Sequence, residues 1–229
     1  MKKNLKRIYR KAKQIPYTII SLAKEIQYTW KKIDRNQWKD EEKVSNYEQQ
    51  MLWSWEETQQ NAPEYFQRLK FSVEHAVGNV LEMGSGIGNM TRWLAKKENV
   101  NTVLAIDGFN EAISKLKEYE FPKVMAVSSL IDKLELPDSF VIDTLVMCEV
   151  IEHIYKSEEK QFLNTIKKHL APDAVFIVST PIGYMYDPHH TRYFSKEKFI
   201  SYLEKHYGNI LKIDYTSGYS QAAFGRFKG

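Results

Sequence analysis

Short, largely apolar runs recur from residue 80 onward, at residues 80–83 (with Glu82), 103–107 (ending in Asp107), 144–148 and 174–181. An unbroken run, rather than an alternating one, marks a strand covered on both faces, as in a parallel sheet. Between these runs the apolar positions return at helical spacing. Tyr65, Phe66, Leu69 and Val73 predict a helix over 62–76 that leads into the first strand, and further helices are expected over 110–119 and 196–206. A third strand ends before Ser129, the segment 170–173 reads as a turn, and 210–215 and 222–227 read as the last strands. Strands alternating with helices predict an α/β fold built on a parallel sheet.

The first strand runs into Glu82-Met83-Gly84-Ser85-Gly86-Ile87-Gly88-Asn89. Glycines at every second position let the backbone turn sharply and approach a ligand, and the helix that follows offers free N–H groups. The spacing argues against two phosphate-centred loops. A dinucleotide fingerprint has a small residue where Asn89 stands, and a phosphate loop needs a lysine that is absent here. An acid inside the turn would repel a pyrophosphate but suits a cofactor that carries a positive charge and hydroxyls.

The pattern Glu-x-Gly-x-Gly-x-Gly resembles motif I of the class I S-adenosylmethionine-dependent methyltransferases. The later segments extend that resemblance over residues 78–216: 103–107 ending in Asp107, 136–143 leading into 144–148, and the turn and strand of 170–181. The resemblance implies a Rossmann-like, seven-stranded, mostly parallel sheet with helices on both faces, its last strand antiparallel, behind an N-terminal helical extension. It implies domains at 1–60 and 61–229 and S-adenosyl-L-methionine as cofactor. Glu82, Gly84, Gly86 and Gly88 would line the methionine end, with Cys148 and Glu149 beside them. Asp107 would take the ribose, the alternative being a helix N-cap, and Ser129 and Leu130 would flank the adenine. Asp132 is the nearest acid to the adenine position.

Chemistry is expected beyond the strand ends, where a doubly wound sheet places its ligands. If a helical turn begins after residue 148, Glu149, Glu152 and His153 share one face at i, i+3 and i+4. This run resembles the Glu-x-x-Glu-His element that ligates a divalent metal in ubiquinone-biosynthesis O-methyltransferases and in small-RNA 3′-terminal 2′-O-methyltransferases. The resemblance makes Glu149, Glu152, His153 and His190 a candidate set for a divalent ion such as Mg2+. In the bland alternative the acids stabilise a helix start and His153 satisfies a backbone group. His153, His189 and His190 are the candidate general bases for an alcohol acceptor. Tyr184, Tyr186, Tyr193 and Phe194 would shape its site, and Arg192 would meet an acidic substrate or pair with a surface carboxylate.

Charge changes the picture only at the N-terminus. Against 33 Lys and Arg and 29 Asp and Glu in the whole chain, Lys2, Lys3, Lys6, Arg7, Arg10, Lys11 and Lys13 all precede the first acid, Glu25. With Leu5, Ile8, Tyr9 and Ala12 they predict a basic amphipathic helix, continued in a more apolar register over 15–26 beyond a break at Pro16. Such an arm serves a peripheral membrane surface, a nucleic acid, or packing against the core or a homodimer partner. Trp30, Trp38, Trp53 and Trp55 lie close together, and Trp53 and Trp55 either pack an accessory helix or form a lid. The single cysteine, Cys148, excludes an internal disulfide. No apolar run is long enough to span a bilayer and no signal-peptide pattern is present, so a cytoplasmic protein is expected. The expected activity is O-methylation of a small-molecule, glycan or lipid-linked hydroxyl. RNA 2′-O-methylation and a non-catalytic, cofactor-binding assembly module stay open beside it.

Overall fold

The computed structural model describes Ile19 and residues 41–184, 187, 189–216 and 220–228. The basic arm of residues 2–13, nearly all of its apolar continuation, Trp30, Trp38 and Tyr186 lie outside the described residues.

Seven strands form one sheet: β1 (Gly78–Met83), β2 (Val100–Asp107), β3 (Val124–Ser128), β4 (Ile142–Cys148), β5 (Leu170–Pro181), β6 (Gly208–Thr216) and β7 (Ser220–Phe227). Their order is β3-β2-β1-β4-β5-β7-β6. The neighbours from β3 through β5 are parallel, and β7 is antiparallel to both β5 and β6. From β1 the chain winds to one edge through β2 and β3, then returns to the other side of β1 as β4. That reversal opens a crevice beyond the C-terminal ends of β1 and β4.

Helices cover both faces: α1 (Glu41–Leu52), α2 (Trp55–Asn61), α3 (Pro63–His75), α4 (Thr91–Lys96), α5 (Asn110–Glu118), α6 (Lys156–Lys167) and α7 (Lys196–His206). Successive strand residues point to opposite faces. Leu81, Leu104, Leu145 and Phe176 therefore pack with Phe162, Phe199 and Leu203 of α6 and α7. Val80, Val103, Val146 and Ile177 pack with Leu69, Leu94 and Leu116 of α3, α4 and α5. Local sequence sets the helix starts. Ser54 and Glu57 exchange backbone and side-chain hydrogen bonds at the start of α2, and Pro63 opens α3 where no amide hydrogen is needed. At the start of α7 the Ser195 hydroxyl accepts from the Lys198 amide.

The structure departs from the sequence reading at one strand and bears on the two readings of Trp55. The expected turn at 170–173 belongs to β5: Ile142 pairs with Leu170 while Thr144 pairs with Val175, so a register shift absorbs the extra residues. Trp55 packs edge-on to Phe66 and Trp93, with ring centroids 4.8 and 5.0 Å away. It joins α2 to α3 and α4, as an accessory helix requires. The element that reaches over the glycine loop is α1, tied down by Arg92, which donates to the carbonyls of Met51 and Gln50 at 2.7 and 3.0 Å.

Candidate active site

The crevice holds a cavity of about 360 Å3. Its floor is the glycine loop. The amides of Gly84 and Ser85 donate to the Ile106 carbonyl at 2.8 and 3.1 Å, which turns the chain over the end of β2. Gly84 has φ +74°, and a Cβ there would stand 2.6 Å from Val150 Cγ2, so the loop requires glycine at this point. Asp107 closes the frame. Its Oδ2 accepts from the Gly86 amide at 2.8 Å and its Oδ1 from the Phe109 amide at 3.0 Å. A carboxylate oxygen accepts more than one hydrogen bond, so capacity remains for hydroxyl donors.

Burial controls the acids of the floor. Glu82 is 3% exposed, and desolvation pushes its carboxyl up to about 8, although the Thr91 hydroxyl donates to its Oε2 at 2.7 Å. Burial also raises Asp107, against the lowering effect of its amide donors. Glu82, Gly84, Gly86, Asp107, Ser129, Leu130, Cys148 and Glu149 all line the cavity.

Gly88, expected beside the methionine end, is not among the residues that line the cavity. Its φ is +97°, and a Cβ there would fall 2.3 Å from Leu116 Cδ1. The third glycine lets α5 approach the loop.

A second constellation follows β4. Glu149 has φ +58°, so it sits in a left-handed conformation and no helical turn begins there. Only Ile151–His153 forms a short 3-10 turn. The Glu149 carboxylate accepts from the hydroxyls of Ser179 at 2.8 Å and Ser220 at 3.1 Å, and Arg68 Nε lies 3.9 Å away. Glu149 is engaged by these hydroxyls and is not part of the group of close donor atoms, so the expected four-residue metal set does not assemble. Glu152, His153 and His190 do come together, each offering one donor atom within 4.8 Å of the others.

Of the histidines, His153 and His189 line the cavity. His190 is 6% exposed and stands behind them, its ring centroid 4.8 Å from that of His153. His153 Nδ1 lies 3.1 Å from the His189 carbonyl oxygen. A carbonyl only accepts, so this bond places the hydrogen on Nδ1 and the lone pair on Nε2. Burial and the neighbouring His190 push His153 down to about 4, keeping the ring neutral. Glu152 Oε1 is 4.0 Å from His153 Nε2 and is buried without a hydrogen-bond partner, while Oε2 accepts from the Thr180 hydroxyl at 3.0 Å. Burial, then the charge of Glu149, holds the Glu152 carboxyl well above the usual carboxylate range.

Cys148 stands on the cavity wall, beside Ser72 Oγ at 3.3 Å, and burial pushes its thiol up to about 11. Other expectations change. Tyr184, Tyr193 and Phe194 are off the wall; Phe194 packs against Phe199 and Tyr202. Arg192 is buried, paired with Glu159 at 2.8 Å. The wall also contains Tyr47 and Gln50 from α1 and Tyr65 and Arg68 from α3, none of which the sequence reading placed there. Their only signal was a three-residue spacing on each helix.

Comparison with known proteins adds three findings. A family model described as a methyltransferase domain matches residues 22–208. A probable S-adenosylmethionine-dependent methyltransferase of Mycolicibacterium smegmatis is 32% identical over 110 residues, which is 48% of this chain and 40% of that relative. The chain thus aligns with less than half of the curated relative's length. Among solved structures, an S-adenosylmethionine-dependent methyltransferase from Aquifex aeolicus superposes with a TM-score of 0.59 at 21% identity, covering 72% of this chain and 92% of its own. The complex of DhpI with SAH gives 0.59 at 18% identity, covering 74% and 85%.

Proposed function

We propose that this chain, which belongs to the methyltransferase-domain family, is a class I S-adenosylmethionine-dependent methyltransferase that transfers the methyl group to a hydroxyl oxygen, with His153 receiving the proton. The observation that carries this reading is the state of His153: on the cavity wall, neutral, and with Nδ1 engaged so that Nε2 holds the lone pair.

The residues fit the cofactor. Two acids on the cavity floor match its charge and hydroxyls: Glu82 beneath the glycine loop for the methionine end, and Asp107 at the end of β2 for the ribose. Ser129 and Leu130, after β3, suit the adenine. When bound, the cofactor supplies an electrophilic methyl on a sulfonium. The protein's work is to hold the acceptor in line with that methyl and to keep water out. The acceptor proton becomes acidic only as the new C–O bond forms, so a weakly basic imidazole suffices, provided that it is neutral when needed. The low pKa of His153 ensures that across the physiological range. Arg68 is the only Lys or Arg among the described residues of the wall, which favours a small molecule, a glycan or a lipid-linked acceptor over a nucleic acid.

A second reading rests on the orphaned Glu152 Oε1. A divalent ion held by Glu152, His153 and His190 would lower the pKa of the hydroxyl. Two imidazoles and one carboxylate suit Zn2+, Mn2+ or Fe2+; they do not suit Mg2+, which prefers oxygen ligands.

Two measurements test the proposal: calorimetric binding of S-adenosylhomocysteine, then turnover of the labelled cofactor against matched panels of hydroxyl and amine acceptors. Methylation confined to amines would overturn the oxygen assignment.

A further inference from the structure

The loop between β5 and α7 is closed at its base and fastened along its C-terminal arm. At the base the Gly183 amide donates to the Phe194 carbonyl at 2.7 Å. Along its C-terminal arm the Thr191 amide donates to the Glu152 carbonyl at 2.7 Å, and its single hydroxyl hydrogen is shared between the Glu152 and Ile154 carbonyls, at 3.0 and 2.9 Å. The Arg192 amide adds a bond to Glu152 O at 3.2 Å. The Arg192 side chain is the strongest tie. It is 8% exposed, with Nη1 on Glu159 Oε1 at 2.8 Å and Nη2 on the Ile154 carbonyl, while the Tyr202 hydroxyl donates to the same Glu159 oxygen.

These bonds hold residues 152–154 and the histidine loop as one piece. What depends on that registration is the His189 carbonyl, which sits opposite His153 Nδ1. We infer that Arg192, which lies off the cavity wall, is a positioning residue: by clamping the loop to Glu159 and Ile154 it keeps His189 O against His153 Nδ1, and so fixes the lone pair on His153 Nε2. Each prong of the guanidinium has its own acceptor, and one of these is a backbone oxygen. A lysine, with a single compact ammonium, does not span both. The inference rests on the reading of His153 as the base, and it applies equally if Nε2 holds a metal, since a ligating histidine also needs its other nitrogen oriented.

The experiment reads the tautomer directly, by 15N NMR of the full chain labelled at histidine, with S-adenosylhomocysteine affinity measured in parallel. In the wild type His153 is the Nδ1–H form at neutral pH. In Arg192→Lys at least a third of the population moves to the Nε2–H form, while S-adenosylhomocysteine affinity stays within twofold. Replacing Arg192 opens a buried pair, so Tyr202→Phe, which removes one hydroxyl from Glu159, is measured alongside. It shows a smaller shift in the same direction and decides the matter if the lysine variant does not fold. A folded variant with the wild-type His153 tautomer overturns the inference. So does a tautomer change accompanied by a proportionate loss of S-adenosylhomocysteine affinity, because that would mark a general loosening. Failure of the base reading would show elsewhere, as unchanged turnover in His153→Gln with the tautomer result intact.

Discussion

The Asp107 carboxylate, at the end of β2, accepts a hydrogen bond from the Gly86 amide at 2.8 Å, in the loop after β1. The residue assigned to the ribose therefore also holds the glycine loop in shape. Removing it costs both functions. Asp107→Ala is expected to weaken S-adenosylhomocysteine binding by about 2–3 kcal/mol, the scale of losing charge-assisted hydrogen bonds. Asp107→Asn keeps an acceptor for one of the two amides and should lose less. Calorimetry of both variants checks the order.

Gly88→Ala separates packing from binding. The added Cβ meets Leu116 at 2.3 Å in a backbone conformation of φ +97°, so a loss of roughly 2–4 kcal/mol in stability is expected. Affinity for S-adenosylhomocysteine, measured well below the melting temperature, should fall little. A large affinity loss with unchanged melting would return Gly88 to the binding surface. Adding Leu116→Ala should relieve the collision and leave the backbone strain.

Cofactor binding should release protons at neutral pH. Burial raises Glu82 to about 8, so the free protein holds a proton there that the cofactor's ammonium and sulfonium will displace. The sign of the linkage follows. The folded pKa exceeds the unfolded one, so this group's contribution to stability is present below about 4.5 and is lost as pH rises through about 8. Binding enthalpies at pH 7 should differ between phosphate and Tris by up to one buffer-ionisation enthalpy. Equal enthalpies would contradict the buried proton, and Glu82→Gln should abolish the difference.

His153→Gln should lower turnover on a hydroxyl acceptor by about 10²–10⁴-fold while S-adenosylhomocysteine affinity holds, the usual range for losing a general base. Dialysis against EDTA divides the two roles open to this residue. Activity that survives chelation leaves His153 as the base. Activity that is lost and then restored by Zn2+, Mn2+ or Fe2+, with Mg2+ ineffective, assigns Glu152, His153 and His190 to an ion.

The donor half of the site was legible because parallel strands covered on both faces appear as apolar runs, and because the glycine loop has only one place to go between β1 and α4. The acceptor half was less so, for definite reasons. Glycines at equal spacing look alike whether they line the cavity, as Gly84 does, or pack under a helix, as Gly88 does. The i, i+3, i+4 reading of Glu149, Glu152 and His153 assumed α-helix. A left-handed Glu149 followed by a 3-10 turn aims its carboxylate at Ser179 and Ser220 instead. Tyr47, Gln50, Tyr65 and Arg68 enter the cavity from helices whose exposed and inward positions have similar polarity, so only tertiary packing distinguishes them. Arg192 looked like a surface charge because its partner, Glu159, lies 33 residues away in sequence.

The reversal of strand order between β1 and β4 also shapes how such a protein changes over generations. The residues assigned to the methyl donor hang from β1, β2 and β3, whereas the histidine loop and its arginine clamp hang from segments after β4 and β5. Insertions or substitutions on the second side can retune the acceptor while the first is inherited intact. One lineage can therefore explore new substrates without ever passing through an ancestor that has lost its methyl donor.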